Sequence, residues 1–173
     1  RLGIYALDTK SGEYVPFTGN MSGMLIAEYI LRERAATGTM PENPAMVKTI
    51  VTTNMVAAIA KAYGAKFVEV LTGFKWIGRE ILRMETEGKG TYLFGCLIGT
   101  HARDKDAIVA TMALCEAACY YKTQGKTMWD AMIDMYEKYG YYLDSVKSVT
   151  LAGIEGQAQI QKILETLRAE APT

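Results

Sequence analysis

The sequence predicts an α/β protein, a layered domain with a mixed, largely parallel sheet flanked by helices and joined to part of a neighbouring domain. Two observations carry this expectation. Between residues 47 and 99, runs of β-branched and apolar residues alternate with helical patterns of about ten residues, the signature of parallel strand pairs linked by helices. Half of the 173 residues are hydrophobic while 19 Lys and Arg balance 19 Asp and Glu, the composition of a chain that buries a core and has no single-sign charge field.

The elements follow in order. Leu2 to Val15, broken by Asp8-Thr9-Lys10-Ser11-Gly12, reads as a hairpin around a polar turn. Thr18-Gly19-Asn20 leads into Met24, Leu25, Ile26, Tyr29, Ile30 and Leu31, a helical spacing that ends before Thr37-Gly38. Pro41 and Pro44 bracket a linker, and a domain boundary is expected near Pro44. A strand at 47–53, a helix at 54–63 stopped by Gly64, a strand at 66–71 and a helix at 74–84 come next. A turn at Glu87-Gly88-Lys89-Gly90 opens a strand-like stretch, 91–99. The long Ala-rich helix 104–122, capped by Asp104, is expected to be largely buried because Ala107, Ile108, Val109, Met112, Leu114, Cys115 and Ala118 cover most of its circumference. A shorter helix, 128–139, is closed by Gly140 and surrounded by Trp129, Tyr136, Tyr139, Tyr141 and Tyr142. A last strand near 147–151 precedes an amphipathic helix, 155–168.

Interspersed charge argues against a nucleic-acid partner working through phosphate neutralisation. No apolar run reaches the roughly 20 residues of a membrane span, so a soluble, cytoplasmic protein without membrane or nucleic-acid partners is expected. No secretory leader is recognisable and the chain opens at Arg1, so it reads as a piece of a longer protein. Cys96, Cys115 and Cys119 form no disulfide framework, and buried packing is preferred for them over a zinc site with His101.

Three clusters could carry chemistry. Thr52-Thr53-Asn54 and Thr72-Gly73 place small polar residues where strands end, which is where open α/β sheets bind ligands; ordinary helix capping is the alternative. Lys75, in the first turn of a helix and opposed to its dipole, suggests a negative ligand nearby. Thr100 to Asp106, containing His101, Arg103 and Lys105, sets cations beside a helix start that itself favours an anion; a solvated helix start with local ion pairs is the alternative.

Several of these segments together resemble the α-D-phosphohexomutases, in particular the phosphoglucomutase/phosphomannomutase branch. The residues are Arg1-Leu2-Gly3, Thr18-Gly19-Asn20 with its helix, Leu71-Thr72-Gly73-Phe74-Lys75-Trp76-Ile77-Gly78, Arg103-Asp104-Lys105-Asp106 with its helix, and Tyr136-Glu137-Lys138-Tyr139-Gly140-Tyr141-Tyr142, in collinear order over nearly the whole chain. The resemblance implies that residues 1–43 close the second domain of a four-domain enzyme, that 44–145 are its α/β/α third domain, and that 146–173 lead to the fourth. It implies interconversion of hexose 1-phosphate and hexose 6-phosphate through a phosphoserine, with Mg²⁺ held by aspartates upstream of Arg1. Hexose phosphate and the enzyme's remaining domains are then the partners. Lys105 and Arg1 become catalytic candidates, with Thr72, Gly73, Lys75, Arg103 and His101 as substrate contacts. The piece by itself would be inactive. A non-catalytic α/β binding module is the alternative, and a nucleotide-binding domain is weakened by the lack of a Gly-rich phosphate loop.

One departure stands out. The family places a Gly-x-Glu-x-Ser-x-Gly type loop between Phe94 and the stretch 96–99, whereas here Tyr92-Leu93-Phe94-Gly95-Cys96-Leu97 runs directly. The expectation is that Phe94–Gly95 or Gly95–Cys96 conceals a missing segment; true deletion is the alternative.

Overall fold

Asp8 organises the opening turn. In a computed structural model, which describes residues 2–94, 106–145 and 150–170, Asp8 accepts from Lys10 N at 3.0 Å and from Ser11 Oγ at 2.8 Å. These bonds, the one from Lys10 N foremost, hold the Asp8 carboxyl below its ordinary value. β1 (Ile4–Leu7) and β2 (Tyr14–Phe17) pair antiparallel, Ile4 opposite Phe17 and Leu7 opposite Tyr14. Thr18 then caps α1 (Gly19–Ala36), its hydroxyl accepting from Met21 N at 3.2 Å.

The central sheet is parallel, in the order β4 (Lys66–Val70), β3 (Pro44–Thr49), β5 (Thr91–Phe94). β3 begins earlier than its β-branched run suggested, because proline is tolerated as the first residue of a strand. It ends earlier too, where Thr52 N turns back to Thr49 O at 2.9 Å. Burial on both faces makes every residue of β3 buried.

Alternation along β3 sorts its side chains between two cores. Ala45 and Val47 meet Ile77, Ile81 and Met84 of α3 (Phe74–Glu87) and Tyr92 of β5. Met46 belongs to the larger core, with Met55, Val56 and Ile59 of α2 (Met55–Ala62) and the buried residues of α1. α1, which precedes Pro44, and α2, which follows β3, therefore share one core. The chain through Leu143 forms one compact unit and Asp144 begins a second.

α4 (Ala107–Thr123) and α5 (Met128–Tyr139) complete the larger core through Leu114, Ala117, Tyr121, Ala131, Met132 and Met135. Two expectations for α4 are corrected. Its cap is Asp106 rather than Asp104: the Asp106 carboxylate accepts from Ile108 N at 2.9 Å and from Val109 N at 3.2 Å. The helix is not largely buried either, since Ile108, Met112, Cys115 and Cys119 are exposed. An all-round apolar sequence fixes no single face, and here only the side toward α1 and α5 finds partners. The expected buried packing of Cys115 and Cys119 falls with it.

Among the aromatic residues around α5, Trp129 packs edge-on against Phe17 and Tyr136, Tyr139 and Tyr142 line the core. Tyr141 is the exception, exposed although its ring meets Tyr136.

Glu28 joins three helices. It is 5% exposed, and its carboxylate accepts from Tyr63 Oη at 2.9 Å, Lys138 Nζ at 3.1 Å and Tyr139 Oη at 2.7 Å. Burial foremost, and then the Glu28 charge and hydrogen bonds, push both tyrosine hydroxyls up from their ordinary value.

In the second unit, α6 (Gly153–Ala169) starts two residues earlier than the polar pattern suggested and carries exposed Ile160, Ile163, Leu164 and Leu167 at helical spacing. Most of the strand expected near 147–151 lies outside the described residues.

Candidate functional site at the strand ends

β3 and β4 are neighbours whose outgoing connections diverge. The chain leaves β3 for α2, in the larger core, and leaves β4 for α3, in the smaller core across the sheet, before returning as β5 on the other side of β3. Open α/β sheets bind ligands outside the carboxyl ends of their strands. The two polar turns singled out in the sequence, 52–54 and 72–73, follow the neighbouring strands β3 and β4 at that edge of the sheet.

Lys48 ties the 52–54 turn to β4, and sequence reasoning passed over it. As the next residue after Val47 on the α2 side of β3, it is 2% exposed. Its ammonium reaches Glu69 Oε2 on β4 at 2.5 Å and donates to Thr52 O at 3.0 Å and Asn54 Oδ1 at 2.8 Å. Three donors thus meet three acceptors, which is what lets a cation sit inside. The signal was present in the sequence as a lysine interrupting an apolar strand, with Glu69 its register partner in β4.

The remaining bonds brace the first turn. Ile50 N donates to Val70 O at 3.0 Å, extending the β3–β4 pairing into the turn. Thr49 and Thr52 hydroxyls share a bond of 3.1 Å. The backbone N of buried Thr53 donates to Asn20 Oδ1 at 3.3 Å, so the Thr18-Gly19-Asn20 segment buttresses the site from α1. Asn54 precedes α2 but makes no side-chain cap, because its carbonyl is engaged by Lys48.

The second turn is more open. Thr72 is exposed. Gly73 holds φ 126° and ψ 140° at the head of α3, without a side-chain cap, in a region that L side chains rarely adopt. An added Cβ would meet only Trp76 Cδ1, at 3.8 Å, so conformation rather than space demands glycine. Gly73→Ala is therefore expected to cost about 1–3 kcal/mol, read as a lower denaturation midpoint with an altered Trp76 emission. An unchanged midpoint would mean that the turn relaxes freely. Lys75 is exposed, with Nζ 5.1 Å from the Trp76 ring centre and Arg79 on the same indole at 6.0 Å. The indole faces provide local compensation for a cation opposed to the helix dipole.

Thr72, Gly73 and Lys75 thus share the turn from β4 into α3. Arg1, His101, Arg103 and Lys105 lie outside the described residues. Gly95 and Cys96, at the junction expected to conceal a missing segment, lie outside the described residues as well; the sequence runs directly from Phe94 through Gly95 to Cys96. Among the described residues no group of three or more His, Cys, Asp or Glu could hold a metal ion. Nor is any helix among them long and apolar enough to cross a membrane.

The fold defines a domain of the α/β/α class, a parallel sheet with helices packed on both faces. The comparisons make this specific. The profile of the phosphoglucomutase/phosphomannomutase alpha/beta/alpha domain III matches residues 18–139. The chain is 32% identical to a phosphoglucomutase of Staphylococcus epidermidis over its whole length and 31% identical to one of Staphylococcus aureus over 99% of it. It belongs to the phosphoglucomutase/phosphomannomutase family. It spans about a third of the length of these relatives, 32% and 31% respectively. Among solved structures, the open form of the Paramecium phosphoglucomutase pp63/parafusin superposes with a TM-score of 0.55 at 18% identity, covering 75% of this chain and 22% of that one. A structure from Thermus thermophilus, described as a phosphomannomutase, gives 0.54 at 21% identity, covering 73% and 26%. Both likenesses bear on the fold alone.

Proposed function

We propose that this chain is the sugar-phosphate-recognising middle of a longer cytoplasmic phosphohexomutase. The observation that carries the reading is the Thr72-Gly73 turn, open at the carboxyl end of the parallel sheet, in a chain of this family. In the proposed parent, a phosphoserine outside this chain passes its phosphoryl group to a free hydroxyl of hexose 1-phosphate. The resulting bisphosphate returns the other phosphoryl group to the serine, leaving hexose 6-phosphate. Mg²⁺ would belong to residues upstream of Arg1, and no role of the present residues depends on it. Thr72 and Gly73 contact sugar hydroxyls, Lys75, Arg103 and His101 bear on the substrate, and Arg1 and Lys105 act at the reacting phosphate. Residues 1–43 would close the second domain and 146–173 lead to the fourth, with α1 sharing the core of the third.

The missing loop favours a second reading, a non-catalytic member that binds without turnover. Kinetics decide between them. In the full-length parent, Lys105→Ala is expected to lower kcat/KM by about 10²-fold, equivalent to about 2.7 kcal/mol of transition-state stabilisation. The 173-residue chain alone should convert no glucose 1-phosphate. Wild-type kinetics in Lys105→Ala would remove that lysine from the site. A parent without turnover on any hexose 1-phosphate, still binding it, would establish the second reading.

A further inference from the structure

We propose that Cys115 and Cys119 of α4 form a two-thiolate site for a single cuprous ion. Both side chains are exposed, one turn apart on a regular helix, and neither takes part in a disulfide. Residues four apart on a helix face each other with Cβ atoms about 5–6 Å apart. A disulfide needs about 3.5–4.5 Å, so the thiols do not close on one another while the helix is intact. An ion bonded to two sulfurs at about 2.3 Å each spans the larger gap.

The surroundings select the ion. Glu116, between the two cysteines in sequence, has a carboxylate oxygen accepting from Tyr29 Oη on α1 at 2.9 Å, and it forms no three-membered ligand group with them. No group of three His, Cys, Asp or Glu is available among the described residues, so a tetrahedral zinc site is not served. Soft thiolates in a set of two suit Cu(I). Exposed Ile108 and Met112 continue the same face toward the N-terminus and give the ion an apolar flank. On binding, both S–H bonds break, two Cu–S bonds form and two protons pass to solvent. Copper stays in the +1 state and no sulfur is oxidised.

The test is competition for Cu(I), kept reduced with ascorbate, against bicinchoninate at neutral pH. The expected result is one equivalent withdrawn per chain, with the elution of the chain on gel filtration unchanged by copper. Cys115→Ser and Cys119→Ser should each weaken binding by on the order of 10²-fold, because the second thiolate binds intramolecularly, while Cys96→Ser should leave it unchanged. Circular dichroism checks that each variant folds, and alanine replaces serine in any that does not. Full affinity in either single variant, loss in Cys96→Ser, or copper-dependent dimers would overturn the proposal.

Discussion

Glu28→Ala is expected to lower the stability of the first unit by about 2–4 kcal/mol. The carboxylate is the common acceptor for Tyr63, Tyr139 and Lys138, and removing it strands two half-buried hydroxyls, each costing about 1–3 kcal/mol when left unmade. Lys138 contributes less to that loss, because its side chain is 52% exposed and water takes over. Glu28→Gln should fall between wild type and alanine, keeping one acceptor oxygen while losing the charge. Urea denaturation followed by circular dichroism reads both. Equal stability of all three proteins would show that α1, α2 and α5 hold together by apolar packing alone.

The same cluster sets an alkaline limit. Both hydroxyls are pushed up from the ordinary tyrosine value, so the folded protein binds their protons more tightly than the unfolded chain does. That contribution is fully present below about pH 10, the unfolded value, and is lost as pH rises beyond it. Stability should decline above about pH 10, and less steeply in the Tyr63→Phe/Tyr139→Phe protein.

Periodicity made the layering legible because each parallel strand is a short apolar run and each helix has punctuation: Thr18 and Thr127 at starts, Gly88 and Gly140 at ends. α5 carries its capping box and matches its expected span, Met128–Tyr139. α4 was misjudged for the opposite reason. Alanine, cysteine and methionine all round the helix say nothing about which side meets a neighbour, and the choice was made by α1 and α5.

The site was half legible. Thr72-Gly73 and 52–54 stood out as small polar residues at strand ends, and the strand order then placed them after adjacent strands. What ties the first turn to β4 was hidden, because Lys48 looks like an intrusion in an apolar strand until Glu69 is known to lie beside it in register. Pairing partners 21 positions apart in sequence leave no local signal. Glu28 was invisible for the same reason, its three partners coming from α5 and from Tyr63 at the end of α2.

Lys48 gives the sharpest test of how the 52–54 turn is held to β4. Lys48→Met keeps the length and apolar stem but removes one ion pair and two hydrogen bonds. The loss should destabilise the protein by about 2–4 kcal/mol, since Thr52 O and Asn54 Oδ1 lose a charged donor. Glu69→Ala leaves the opposite problem, a cation 2% exposed without its counter-charge, and should also destabilise by about 2–4 kcal/mol, short of the full effect of an orphaned buried charge because Asn54 and Thr52 still accept from it. The double variant Lys48→Met/Glu69→Val removes both charges together, so its cost should be clearly smaller than the sum of the two single costs, with a coupling of at least about 1 kcal/mol in a double-mutant cycle. Additive costs would mean that the two side chains act independently and that the turns at 52–54 and 72–73 are aligned by backbone pairing alone, through Ile50 N and Val70 O.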